Sequence, residues 1–333
     1  MLNIGVIGYG YWGPNIVRNF SAVDGTKVLT ICDPNSDASQ RAKKANPHVQ
    51  VISDYREIVK SPEIDMVAVV TPVSTHFPLA KEALENGKHL FIEKPFTAKV
   101  AEAEELINLA EKKGRKIMVD HTFIFTGAVR KMKELIEGGS LGQLYYYDSI
   151  RVNLGLFQKD INVVWDLAPH DFSIMDFLID EKPVAVSSCG KGHVNGKEDI
   201  AFVTAYFNNN MIAHFNVNWL SPVKVRMTLV GGEKRMVVWN DSVADEKLRV
   251  YDKGIEVKNT ENIYDLLVSY RSGDMWSPKV DQTEALKKEA EYFVECIYND
   301  VTPVNDGQAG LRVVEMLEGC DNSLRKNGRM IYL

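Results

Sequence analysis

A chain of 333 residues, 45% hydrophobic and 25% charged, has the length for two domains with separate cores and the composition of an ordinary globular protein. A net charge of −6 with no basic block or Lys/Arg stripe argues against a nucleic-acid partner. The longest apolar runs, such as Met66–Val70, are too short to span a bilayer, and no charged n-region with an apolar h-region opens the chain, so a cytoplasmic location without membrane contact is expected.

The first third alternates strand and helix signals. Leu2–Ile7 reads as a buried strand, followed by Gly8-x-Gly10-x-x-Gly13 and a helix to about Phe20. Strands at Lys27–Cys32, Val49–Ile52, Met66–Val70, Leu90–Ile92 and Lys116–Val119 alternate with helices at Gln40–Ala45, Tyr55–Lys60, His76–Asn86 and Val100–Lys113. This rhythm predicts a doubly wound parallel sheet, hence an α/β fold with an N-terminal Rossmann domain over 1–120. Beyond 121 the rhythm changes. A helix at Val129–Glu137, a strand at Gln143–Asn153 and a helix from about His170 to Ile179 precede long strands at Pro183–Cys189, Ile200–Asn208, Met211–Trp219, Val223–Val230, Arg235–Trp239 and Leu248–Tyr251. Turn signals at Asn208-Asn209-Asn210 and Gly231-Gly232 join them as hairpins, which predicts a C-terminal α+β domain over 121–333 with a large open, mostly antiparallel sheet. Helices at Thr283–Tyr298 and Gln308–Lys326 close the chain. Two helices cannot cover both faces of such a sheet, so the other face is expected against a second copy, as a homodimer or homotetramer.

The glycine motif stands between a strand and a helix, the context a dinucleotide fingerprint needs. Gly8 permits the tight turn, Gly10 lets backbone approach a pyrophosphate, and Gly13 allows close helix–strand packing. Asp33 ends the second strand, 20 residues beyond Gly13. A carboxylate there accepts from a ribose 2′-hydroxyl and repels a 2′-phosphate, and no Arg or Lys follows until Arg41, so NAD(H) is expected in preference to NADP(H). Tyr11 and Trp12 are also candidate cofactor contacts; Trp12 either covers the cofactor or packs against the following domain. Thr71, Pro72, Ser74 and His76 follow the Met66–Val70 strand, where the nicotinamide-side ribose would lie. His76 reads equally as a helix N-terminal residue with ordinary hydrogen bonds. Glu93-Lys94-Pro95 ends the Leu90–Ile92 run, and a lysine at the carboxyl end of a parallel strand points into the crevice where such sheets bind ligands. Cys32, Cys189, Cys296 and Cys320 form no Cys-x-x-Cys pair and no metal-ligand spacing, so they read as buried thiols of a reducing compartment and no metal is expected.

Thr71-Pro-x-x-x-His76, Gly87-Lys-His89 and Glu93-Lys-Pro95 together resemble the glucose–fructose oxidoreductase and inositol dehydrogenase (Gfo/Idh/MocA) family, over nearly the whole chain. The resemblance implies that Lys94 is catalytic, with Glu93 and Lys94 among the cofactor contacts, and that Pro95 follows a cis peptide bond. It also implies an Asp-x-x-x-His pair in the second domain, supplied here by Asp166 and His170. That spacing puts both on one face of a helix. Pro169 disfavours helix at Ala168. Either the helix starts early with Pro169 in its first turn, or Asp166 precedes it. Both alternatives place His170 near a helix N-terminus, where the dipole favours neutral imidazole. Asp171 and Asp176 read as first-turn charge and helix surface.

The chemistry these residues imply is hydride transfer between nicotinamide and a ring carbon of a sugar, with His170 as base, Lys94 stabilising the oxygen and Asp166 orienting them. His121, Arg151, Asn153 and Trp165 are candidate substrate contacts, and Trp219, Trp276 and the Arg271–Trp276 loop could meet sugar, base or phosphate. The Arg151-Val-Asn-Leu-Gly155 strand end and the Trp165–His170 variant are similar to members associated with nucleotide-sugar pathways. A nucleotide-linked sugar of surface-polysaccharide or sugar biosynthesis is therefore the expected substrate. A free-sugar or inositol dehydrogenase, an NAD-dependent glycosidase and a non-catalytic NAD-binding regulator are the alternatives.

Overall fold

The computed structural model describes residues 1–155, 157, 161–252, 254–258, 267–271 and 273–333. The chain forms two compact units, 1–125 with 283–318 and 126–282 with 319–333. The first contains β1 (Leu2–Ile7), α1 (Gly13–Ser21), β2 (Thr26–Cys32), α2 (Ser36–Ala45), β3 (Gln50–Ile52), α3 (Arg56–Val59), β4 (Met66–Val69), α4 (His76–Glu85), β5 (His89–Ile92), α5 (Val100–Lys113) and β6 (Ile117–Val119). Every pair in its sheet is parallel, in the order β3-β2-β1-β4-β5-β6. The strand order therefore reverses between β1 and β4. Their carboxyl ends open the crevice in which such sheets take ligands. β4 is buried at every position because helices lie on both faces of a parallel sheet.

The second unit holds α6 (Gly127–Glu137), β7 (Leu144–Leu154), α7 (Val163–Leu178), β8 (Ala185–Lys191), β9 (Ile200–Tyr206), β10 (Ile212–Asn218), β11 (Leu220–Gly232), β12 (Met236–Asn240), β13 (Leu248–Tyr251), β14 (Gly254–Lys258), β15 (Leu267–Arg271) and β16 (Met275–Trp276). After these come α8 (Ala285–Tyr298), α9 (Gly307–Arg325) and β17 (Ile331–Tyr332). Nine strands form one sheet in the order β16-β13-β12-β11-β7-β10-β9-β8-β17, while β14 and β15 pair as a separate ribbon. All its pairs are antiparallel except β7–β10, whose connection runs through α7. Residues of β10 alternate strictly. Ala213, Phe215 and Val217 of β10 are buried, and Ile212, His214 and Asn216 between them are not. On the buried side α7 packs over β7, β9 and β10, with the Phe172 and Phe215 ring centroids 4.8 Å apart and edge-on. Each such ring contributes about 1.5–3 kcal/mol by leaving water.

A single division at 121 misses where the C-terminal segment folds. Thr283–Glu318 belongs to the first unit. The cause is the apolar stripe of α8, which packs on α1: Phe293 lies 6.1 Å from Phe91, and Phe91 stands edge-on to Phe20 at 5.2 Å. α7 also starts earlier than expected. Asn162 caps it, its side chain accepting from the amides of Val164 at 3.1 Å and Trp165 at 3.2 Å. Pro169 lies inside the helix, where its missing N–H costs one backbone bond, and burial of Val163, Val164, Trp165, Ala168 and Pro169 offsets that loss. Strands β16 and β17 escaped the sequence reading because each is two residues long. Ser272 of the Arg271–Trp276 loop lies outside the described residues. Among the described residues no helix is long and apolar enough to cross a membrane.

Candidate active site

The turn after β1 is shaped by its glycines. Gly8 has φ +102°, and a Cβ there would meet the Val70 carbonyl oxygen at 2.1 Å. A Cβ on Gly13 would meet the Gly8 oxygen at 2.5 Å, so α1 packs directly on the turn. Gly10 differs: it is exposed, and a Cβ would meet nothing within 4 Å. Open space over Gly10, beside a helix whose first turn has no side-chain cap, suits the pyrophosphate of a dinucleotide. Asp33 lies beside this turn. Its Oδ2 accepts the Tyr9 amide at 2.7 Å and its Oδ1 the Asn35 amide at 2.9 Å. The Arg41 Nη2 stands 3.4 Å from the Tyr9 carbonyl. Tyr11 is 91% exposed. Trp12 turns inward within the first unit, its indole donating to Asp120 Oδ2 at 3.0 Å.

Thr71, Pro72 and Ser74 border the same crevice at the end of β4. Thr75 Oγ1 donates to the Pro72 carbonyl at 2.7 Å, closing a short turn over Val73–Thr75 in which Ser74 is exposed. His76, a candidate cofactor contact, is instead fully buried as the first residue of α4. Its Nδ1 lies 2.9 Å from the Pro95 oxygen and its Nε2 2.8 Å from the Thr71 oxygen. Only the doubly protonated ring donates to both. Burial lowers the His76 pKa and outweighs those hydrogen bonds, so the neutral ring satisfies one carbonyl at a time. Either way His76 ties the end of β4 to the end of β5.

At the end of β5 the Glu93 Oε2 accepts the Lys94 amide at 3.0 Å, and the Lys94–Pro95 peptide is cis. Burial first, then the neighbouring Asp120, holds the Glu93 carboxyl well above the usual carboxylate range, against the pull of Lys94. His121, one residue past Asp120, is 2% exposed and lies in the interior rather than on a surface.

In the second unit Asp166 is in the first turn of α7, and His170 is one turn further on the same face. His170 is the eighth residue of the helix, past the reach of the N-terminal dipole, so the expected dipole effect on its imidazole does not apply. Asp166 Oδ2 accepts the Trp219 indole N–H at 2.9 Å. Trp219 is fully buried and boxed in by Gly155, where a Cβ would meet its ring at 2.3 Å. Its role as a holder of Asp166 was not read from sequence; the signal is a tryptophan between two strands facing a glycine that ends a third. Arg151 is not open to a phosphate. It is 3% exposed and forms a fork with Asp171, Nε to Oδ2 at 2.6 Å and Nη2 to Oδ1 at 3.0 Å. Asp171 is accordingly interior, not first-turn surface charge. Trp165 is buried in the α7 core, while Asn153 is half-buried near the end of β7.

Residues 2–121 match the oxidoreductase family with an NAD-binding Rossmann fold (GFO_IDH_MocA), and residues 129–237 match the GFO/IDH/MocA C-terminal domain. An uncharacterized oxidoreductase, YdgJ of Escherichia coli (strain K12), is 33% identical over 183 residues, and the match spans about half the length of that relative, 51% of each chain. The UDP-N-acetylglucosamine 3-dehydrogenase of Acidithiobacillus ferrooxidans is 27% identical over 327 residues, 94% of each chain. A solved structure of UDP-N-acetylglucosamine 3-dehydrogenase GnnA from Acidithiobacillus ferrooxidans superposes with a TM-score of 0.83 at 23% identity, covering 98% of each chain. That last likeness is one of fold.

Proposed function

Because the chain belongs to the Gfo/Idh/MocA family of NAD-binding oxidoreductases, we propose that it moves a hydride between nicotinamide and a ring carbon of a nucleotide-linked sugar. The observation that carries the reading is Lys94 at the carboxyl end of β5, beside the reversal of strand order and a glycine turn with open space over Gly10. The cofactor, when bound, supplies the hydride acceptor. In the oxidising direction His170 is read as the base for the hydroxyl proton and Lys94 as the cation that stabilises the developing charge. Asp166, fixed by Trp219, orients His170. Support for a nucleotide-linked sugar comes from the relative that matches along 94% of its length. An assay of NAD⁺ and NADP⁺ reduction over UDP-N-acetylglucosamine, other nucleotide sugars, free sugars and inositols tests the proposal. Nucleotide-sugar-dependent reduction of NAD⁺, at least about tenfold faster than NADP⁺, is expected from the charge at Asp33, and Asp33→Ala should narrow the gap because the carboxylate that repels a 2′-phosphate is then gone. Faster NADP⁺ reduction would reject the Asp33 argument. Turnover of free sugars or inositols alone, or tight NADH binding with no turnover, would reject the nucleotide-sugar reading.

The face of the nine-stranded sheet that carries half-exposed apolar side chains supports a second copy as partner. Ile150, Met227, Leu229 and Val238 lie on it at paired positions and are half-exposed, and Phe202 and Ile212 are exposed at 41% and 45%. Sedimentation should give two or four times the chain mass of 37.5 kDa, and Leu229→Asp should lower it. A single-chain mass at micromolar concentration would end this proposal.

A further inference from the structure

Three carboxyl groups meet behind Lys94. Glu93 ends β5, Asp120 follows β6, and Glu289 comes from the middle of α8. Asp120 and Glu289 are 2% and 0% exposed. Asp120 receives two donors, the Trp12 indole at 3.0 Å and the Thr122 hydroxyl. Asn305 Nδ2 donates at 3.0 Å to Glu289 Oε1 and at 2.7 Å to the Val119 carbonyl. No donor among the described residues reaches Glu289 Oε2, although it is buried. An ionised Glu289 would leave that oxygen charged, dry and unsatisfied. A proton on it converts it into a donor, and Asp120 is the acceptor within reach.

We propose that Glu289 is a positioning residue of the cofactor site: as the neutral acid it donates to Asp120, and Asp120 then holds both the Trp12 indole at the glycine turn and Glu93 beside Lys94. The proposal rests on the reading of Lys94 and the glycine turn as a cofactor site. Its physics is that of paired acids. A carboxylic acid facing a carboxylate attracts it, and two buried carboxylates repel. The groups facing Glu289 are Asp120 and Glu93 from the strand ends, Thr122 from the following turn and Asn305 from the loop before α9. Lys94 acts through Glu93, His121 follows Asp120 in the chain, and Tyr292 is on the same helix. Arg18 of α1 is engaged by Glu284 at the start of α8. Burial and then Asp120 raise the Glu289 pKa well above the usual carboxylate range. The folded chain thus holds this proton more tightly than the unfolded chain. Its contribution is complete below the ordinary glutamate range, about pH 4, and is lost as pH rises through the folded-state value.

Trp12 reports on this network directly. Its emission is the difference between each protein and its Trp12→Phe counterpart, followed with NADH affinity from about pH 5 to about pH 10. The natural chain should lose NADH affinity and change its Trp12 signal on the alkaline side. Glu289→Gln keeps a donor toward Asp120 and has no proton to lose; its alkaline transition should shrink to the part carried by Glu93, and it should bind NADH within about twofold of the natural chain at neutral pH. Glu289→Leu removes the donor and should weaken NADH about tenfold. The proposal is overturned by an equal alkaline transition in Glu289→Gln, by no transition in the natural chain, or by unaltered Trp12 signal and NADH affinity in Glu289→Leu. If Glu289→Leu does not fold, the Glu289→Gln comparison decides. These readouts use no sugar, so a chain that binds NADH but oxidises no sugar defeats the functional reading and leaves this test standing.

Discussion

Lys94→Ala and His170→Ala are each expected to lower turnover by about 10²–10⁴-fold, the range for removal of a positioned acid or base, while NADH affinity stays within a few-fold. The two residues differ in what they supply. In the proposed mechanism Lys94 offers a charge that stabilises the oxyanion, beside Glu93, whose carboxyl burial and Asp120 hold well above the usual carboxylate range. His170, as the proposed base, would take the proton from a helix face that Asp166 shares. Lys94→Arg should not rescue, because a planar guanidinium does not replace a compact ammonium at one oxygen. If both groups act on one oxygen, the double variant should lose little more than either single one. Steady-state rates with NAD⁺ and the best sugar of the panel, beside NADH titration by fluorescence, decide the matter. Turnover near that of the natural chain in both single variants would remove them from the mechanism.

The parts legible in the sequence are those set by local chemistry. Gly8, Gly10 and Gly13 between a strand and a helix mark the turn without any tertiary information, and Asp33 follows at the end of the next strand. The start of α7 was misplaced because Pro169 outweighed a cap signal that was present, Asn162 before an apolar run. Glu289 left a trace as an acid on the apolar stripe of Leu286, Ala290 and Phe293, a position where an unpaired charge would be costly. The partners of Arg151 and Trp219 left none. Arg151 meets Asp171 only because α7 lies over β7, and Trp219 meets Asp166 only because β10 returns beside β7. Such contacts depend on pairing between distant segments, which periodicity within one segment does not encode.

Asp171→Ala is expected to destabilise the second unit by about 3–5 kcal/mol, because it leaves the Arg151 guanidinium buried without its counter-charge. Asp171 also accepts the Ser149 hydroxyl at 2.8 Å, so the substitution strands a second group. The cost is increased by a like charge on the next strand. Arg226 pairs with Arg151 across β11 and β7, and its pKa is lowered by burial and then by Arg151. Removing both partners should be far milder than removing one. Arg151→Met with Asp171→Leu is expected to recover most of the loss, since apolar side chains of similar volume leave no charge to satisfy. Urea unfolding of the two single variants and the double variant forms the cycle, and a cost below about 1 kcal/mol for Asp171→Ala would place the pair among weak surface bridges. Kinetics of the same variants check the structural role of Arg151 against the substrate contact expected from sequence. A residue reserved for substrate phosphate would raise KM for nucleotide sugars on Arg151→Met with stability unchanged. A buried fork that locks α7 to β7 predicts lost stability first, with kcat falling because Asp166 and His170 ride on the same helix.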